Sequence, residues 1–183
     1  MDTTPVFRGY AESYLGKKLP TYFNSGILLI NSKVMRAEKF QDRFFDLVNA
    51  VELIVAPDQD YYNVMCRDRT HFIPICWNKT PRPRSEQLMP LKDVKLVHYN
   101  LAYRPWKYDN IPYADLFWKH AKESHVYDQI AALRESMSDK IAAYDQEWSG
   151  KLVLLAHRLW FEANDAESVF DKIENGKIKL KKF

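Results

Sequence analysis

A histidine and an arginine six positions apart, His98 and Arg104, are the side chains of this sequence best suited to chemistry. They stand in the run His98-Tyr99-Asn100-Leu101-Ala102-Tyr103-Arg104-Pro105-Trp106, which follows Val94, Leu96 and Val97. The apolar residues read as a strand that delivers an imidazole and then a guanidinium onto a loop. Pro105 locks that loop and Trp106 anchors it. Imidazole is a common ligand of divalent transition metals, and the planar guanidinium fork suits phosphate. Metal and phosphate together point to a nucleotide-diphosphate substrate. Out of context, a strand-end histidine is more often a satisfied structural residue, and Arg104 a solvated charge.

Two further groups carry candidate chemistry. Asp58-Gln59-Asp60 follows Pro57 and places two carboxylates and an amide in the first turn of a helix, where the dipole favours acids. Their plain reading is first-turn acids with no further role. Tyr22-Phe23-Asn24-Ser25-Gly26 precedes the aliphatic run Ile27-Leu28-Leu29-Ile30, and Asn24 there reads equally as a simple turn residue.

The elements that must position these groups follow from periodicity. Residues 1–20, with Pro5, Gly9, Gly16 and Pro20, read as an irregular connection. Ile27–Ile30 reads as a buried strand and Ser32 as the cap of the next element. Phe40, Phe44, Leu47, Val48 and Val51 recur at helical spacing. Phe72-Ile73-Pro74-Ile75 looks like an edge strand, since proline removes a ladder donor. Trp77-Asn78 and a proline-punctuated loop lead to the His98 strand, and Tyr113, Leu116, Phe117, His120 and Ala121 form a helical stripe behind it. Val126, Ile130, Leu133, Met137, Ile141, Tyr144 and Trp148 predict one long helix broken at Ser149-Gly150. A second helix carries Leu152, Leu155, Leu159 and Trp160, and a third carries Val169, Phe170 and Ile173 before Asn175-Gly176.

Composition narrows the function. At 183 residues with 46% apolar content, the chain is long enough for one cored domain with an appendage. Five glycines are too few for a glycine-rich phosphate cradle, and neither a P-loop nor a GxGxxG turn occurs. Cys66 and Cys76 lack zinc-finger spacing and read as reduced core thiols of a cytoplasmic protein. No signal peptide and no apolar window of about 18 residues is seen. Five lysines against Glu174 give residues 172–183 a local +4, so the other 171 residues sum to −1 of the net +3. Nucleic-acid binding is therefore disfavoured. Lys177-Ile178-Lys179-Leu180-Lys181-Lys182-Phe183 suits an anionic membrane surface, the alternative being a solubilising terminus.

Taken in order, Tyr22–Gly26 with its aliphatic run ending in Asn31, Asp58-Gln59-Asp60 with Asn63, and His98…Arg104-Pro105-Trp106 resemble the second half of a family 8 glycosyltransferase. The resemblance covers roughly residues 20–125. It implies an α/β chain: the C-terminal half of a GT-A fold over residues 1–125, with a helical, basic-tailed extension over 126–183. It implies a retaining hexosyltransferase that uses a UDP-sugar donor and a saccharide or lipid-linked saccharide acceptor, in polysaccharide or lipopolysaccharide biosynthesis. By the same resemblance His98 completes a manganese or magnesium site, Arg104 replaces a lysine at the diphosphate, and Asn24, Ser25 and Asn78 lie near the donor. Asp58 would hold sugar hydroxyls, and Gln59 and Asp60 would flank the anomeric carbon as catalytic groups. Leu101 stands where the family has glycine. The family's Asp-x-Asp metal motif belongs to the first half; Asp58-Gln59-Asp60 has that pattern, but its position matches the later motif.

The cation site is thus incomplete within this sequence, which reads as a fragment, a truncated gene product or one half of a split enzyme. Such a half would self-associate or pair with a donor-binding chain, and its isolated activity is doubtful. Localisation is expected in the cytoplasm, peripherally at the inner membrane. The rival reading is a non-catalytic binding or scaffold half.

Overall fold

The computed structural model describes residues 5–67, 69–101, 103–137 and 139–181. Ala102, Lys182 and Phe183, used in the sequence reading, lie outside them, as does the side chain of Ile141. The described helices are α1 (Pro5–Gly9), α2 (Ser32–Ala37), α3 (Phe40–Ala50), α4 (Pro57–Cys66), α5 (Ser85–Leu88), α6 (Ala114–Ala121), α7 (Tyr127–Glu135), α8 (Asp139–Glu162) and α9 (Val169–Glu174). They fall into two compact units, one of Met1–Phe72 with Ser149–Phe183 and the other of Ile73–Trp148. Residues beyond 148 return to the first unit because Ala156, Val169 and Ile178 bury into its core.

Residues 5–15 differ most from the expected loop. Helix α1 runs into a π-helical stretch over Tyr10–Leu15, where Tyr10, Ala11 and Leu15 are fully buried. These residues recur at helical spacing, and burial of three such side chains outweighs the local helix-breaking signal of Gly9. That glycine is instead a packing requirement, because a Cβ there would overlap the Trp160 ring. Gly16 ends the stretch at φ 78°, a conformation glycine adopts without penalty. The core of this unit adds Leu19, Tyr22, Phe40, Leu47, Leu53, Tyr61, Val64 and Met65.

Local rules decide several ends. Pro57 opens α4 at its first position, as expected. Asn31, rather than Ser32, caps α2 by accepting from Val34 N at 3.2 Å. Ser168 and Asp171 form a reciprocal capping box on α9, and Gly176 follows at φ 70°. The expected break at Ser149-Gly150 does not occur, since α8 runs through it. An exposed mid-helix glycine costs only about 1 kcal/mol against alanine, too little to end a 24-residue helix.

Among the described residues no strand is present, and the α/β character implied by the resemblance is not seen there. Ile27–Ile30, Phe72–Ile75 and Val94–Val97 acquire no ladder; among the described residues one isolated parallel bridge forms, Lys79 to Val97. An apolar run becomes a strand only when a neighbour pairs its backbone groups. Leu29 is accordingly 93% exposed rather than buried. The second unit is instead held by an aromatic cluster in which Trp106 packs on Phe117 (5.0 Å between centroids) and Tyr99 meets both edge-on.

The basic tail is tied inward. Ile178 is buried and Leu180 packs on the first unit's core, while Lys181 N donates to Asp46 and Lys177 pairs with Glu167. Its described apolar residues are thus spent on the protein interior rather than on a membrane surface. Among the described residues no helix is long and apolar enough to cross a membrane.

Candidate functional site

The N-terminal turn of α4 faces the Asn24-Ser25 turn, and their side chains form one connected rim. Ser25 Oγ donates to Asp58 Oδ2 at 2.6 Å. Gln59 Oε1 accepts from Asn24 Nδ2 at 3.0 Å and from Ser25 N at 3.2 Å. Asn24 Oδ1 closes the turn on Gly26 N at 3.0 Å. Asp58 is exposed, and Asn24, Ser25 and Gln59 are half-buried. One helical turn explains the grouping: positions 58 and 59 look outward, while 60, 63 and 64 look into the core.

Asn63 fastens this rim to the core. Its Oδ1 accepts from Phe23 N at 2.9 Å, and its Nδ2 donates to Phe23 O at 2.8 Å and to Gln59 O at 2.9 Å. A side-chain amide thereby satisfies both backbone groups of Phe23, as a neighbouring strand would.

Asp60 is placed differently from the expected catalytic position. It is 0% exposed and points away from the rim. Tyr22 Oη donates to its Oδ1 at 2.6 Å, Tyr10 Oη to its Oδ2 at 2.8 Å, and Ala56 N to Oδ2 at 3.0 Å. Burial pushes its carboxyl up to about 6, although these three donors pull the other way. Both tyrosine hydroxyls are pushed well above their ordinary range, first by burial and then by the Asp60 charge. Direct contact with a sugar is closed to Asp60 in this conformation. The sequence reading does not single out Tyr10 and names Tyr22 only as part of the Tyr22–Gly26 run. Tyr22 stands two residues before Asn24, but Tyr10 lies 50 positions from Asp60 and gives no local signal.

In the second unit the Lys79–Val97 bridge brings Asn78 beside His98, with Lys79 N donating to Leu96 O at 3.0 Å and His98 N to Lys79 O at 2.9 Å. The His98 Nδ1 lies 3.0 Å from Asn78 Oδ1. An amide oxygen only accepts, so Nδ1 carries the proton and the Nε2 lone pair is left to bind. A fixed tautomer of this kind is how ligand histidines are oriented. Burial holds the imidazole below its ordinary pKa of 6.5. An NMR titration of the ring should therefore show a midpoint under 6.5, and a midpoint above it would mean that the ring is solvated or faces a carboxylate.

Arg104 is engaged within the unit. Its Nη2 meets Asp145 Oδ2 at 2.7 Å, and Lys107 Nζ and Tyr108 Oη reach the same oxygen at 3.1 and 2.6 Å. Those three donors hold the Asp145 carboxyl below its ordinary value, the Tyr108 hydroxyl first. Leu101 has φ 49°, the left-handed region, and its side chain is 75% exposed. The backbone there keeps a conformation suited to glycine although the residue is leucine. Leu101→Gly is expected to gain about 0.5 kcal/mol in urea unfolding, the left-handed penalty of roughly 1–2 kcal/mol less the extra unfolded-state entropy of glycine, up to about 1 kcal/mol. A loss would show that the leucine side chain packs.

The implied divalent cation does not find a full ligand set. Among the described residues no group of three or more His, Cys, Asp or Glu side chains comes together, and His98 is a single oriented ligand. No catalytic step is assigned through a metal.

A half-buried rim of amides, a hydroxyl and a carboxylate is the chemistry that binds polyhydroxylated ligands, each group offering sugar hydroxyls a donor or an acceptor. The profile of glycosyl transferase family 8 matches residues 3–110, more than half of the chain and all of these groups except Asp145. The chain belongs to glycosyl transferase family 8. It is 28% identical over 148 residues to the lipopolysaccharide glucosyltransferase WaaO of Escherichia coli strain K12, covering 75% of this chain and 42% of that protein. It is also 28% identical over 110 residues to a lipopolysaccharide 1,2-glucosyltransferase of Escherichia coli, covering 53% and 32%. The chain thus spans less than half the length of these relatives. No solved structure matches it.

Proposed function

We propose that this chain carries the sugar-side portion of a hexosyltransferase that moves a sugar from a UDP-sugar to a saccharide or lipid-linked saccharide, with retention. The observation that supports this best is the hydrogen-bonded rim of Asn24, Ser25, Asp58 and Gln59. In such a transfer the C1–O bond to the diphosphate breaks and a C1–O bond to the acceptor hydroxyl forms, and C1 gains positive charge on the way. The Gln59 carbonyl and the Asp58 carboxylate are oxygen-rich groups suited to that charge and to sugar hydroxyls. In the second unit His98 is suited to a cation and Arg104 to a phosphate. A manganese or magnesium site would draw its remaining ligands from outside the described residues, so turnover by the isolated chain is not expected.

Saturation-transfer NMR on the chain with UDP-glucose tests this reading. Saturation should reach the hexose protons and fall by at least about half in Asp58→Ala and in Gln59→Ala. No transfer, or transfer indifferent to both substitutions, would end it. The non-catalytic binding reading draws support from the Arg104–Asp145 pair, which leaves that guanidinium occupied by the protein's own carboxylate. Pyrophosphate that binds Asp145→Asn more tightly than the unmutated chain would favour it.

A further inference from the structure

We propose that Asp60 is a positioning residue acting through Tyr22, whose hydroxyl it fixes so that the Gln59 amide presents its oxygen to the Asn24–Ser25 rim. The chain of contacts is short and directional. Tyr22 Oη has one proton, and it goes to Asp60 Oδ1 at 2.6 Å. Its oxygen is then left as an acceptor, and Gln59 Nε2 donates to it at 2.8 Å. With the amide nitrogen committed there, Oε1 faces Asn24 Nδ2 and Ser25 N.

Turning the amide over would set Nε2 against two donors and Oε1 against a hydroxyl whose proton is already given away. Each end of the amide therefore selects the same orientation. The requirement at position 60 is for a group that only accepts, because it must take protons from Tyr22, Tyr10 and Ala56 N together. A carboxylate meets it. An asparagine would turn an NH2 toward one of these donors and make one tyrosine reverse its hydroxyl. Tyr10 donates to the other carboxylate oxygen, Oδ2, whereas Gln59 Nε2 donates to Tyr22, which separates holding Asp60 from orienting Gln59. The proposal rests on the preceding reading only for what the Gln59 oxygen serves; the orienting contacts are measurable without a sugar.

The test is NMR of the 15N-labelled full chain with no donor present. In the unmutated chain the Gln59 side-chain amide protons should exchange with solvent at least about tenfold more slowly than those of a free glutamine. In Tyr22→Phe that protection should be lost and the Ser25 backbone amide should shift. Asp60→Asn should shift both signals with Tyr22 still present. Tyr10→Phe should leave both in place. The Asn63 side-chain amide signal, unchanged throughout, reports that the fold is retained. Free-glutamine exchange in the unmutated chain overturns the proposal whether or not any variant folds. So do unchanged Gln59 and Ser25 signals in Asp60→Asn, or equal shifts in Tyr10→Phe. Absence of UDP-glucose binding would count against the transferase reading and leave these signals as they are.

Discussion

Asn63→Ala is expected to destabilise the first unit by about 2–4 kcal/mol, since it strands two buried backbone groups of Phe23 and one carbonyl of Gln59. The amide makes three hydrogen bonds, two of them across 40 positions of sequence, and is 0% exposed, so water cannot replace what is lost. Asn63→Asp should cost more, because it keeps the acceptor but turns a second oxygen toward two carbonyls. Urea unfolding followed by tryptophan fluorescence measures both. A cost under about 0.5 kcal/mol for the alanine variant would show that the Phe23 backbone finds other partners.

The second large effect is a pH dependence. The Asp60 carboxyl titrates at about 6 in the folded chain, against an unfolded value of about 4. The folded state holds this proton more tightly. Its contribution therefore favours the fold most below about pH 4 and declines as pH rises toward about 6. Above that it is a constant cost of about 2–3 kcal/mol. Asp60→Asn removes this slope. The stability difference between variant and unmutated chain should move in the variant's favour by about 2–3 kcal/mol between pH 4 and pH 7. Glu38, Glu167, Asp171 and Asp145, held low by their own partners, lose their contributions as pH falls, but they are common to both chains and cancel. A flat difference would mean that Asp60 is solvated or that a cation shares its pocket.

The rim was largely legible in the sequence. Asn24, Ser25, Asp58 and Gln59 were singled out as residues near a donor sugar, and the structure joins them by hydrogen bonds. The resemblance also sets Asp60 beside Gln59 at the anomeric carbon. A helix rotates each residue by about 100°, and that rotation carries position 60 from the rim into the core. Asn78 and His98, named separately, meet through a bridge that no local signal encodes.

The elements divide in the same way. Helix starts and stops were readable where one residue's own chemistry sets them, as at Pro57 and Gly176. The strands were not, because an aliphatic run such as Ile27–Ile30 states only that it wants burial. Whether it becomes a strand depends on what pairs beside it.

Sequence alone determined the family, through the order of its three motifs, and the helix ends set by Pro57 and Gly176, through the backbone chemistry of proline and glycine. Tertiary structure decided that Asp60 is an interior acceptor, that residues 5–15 are a packed helix, and that Ile178 and Leu180 turn inward. Those outcomes depend on partners distant in sequence, such as Tyr22 and Tyr10 at 38 and 50 positions from Asp60, and only burial reveals which groups must be satisfied there.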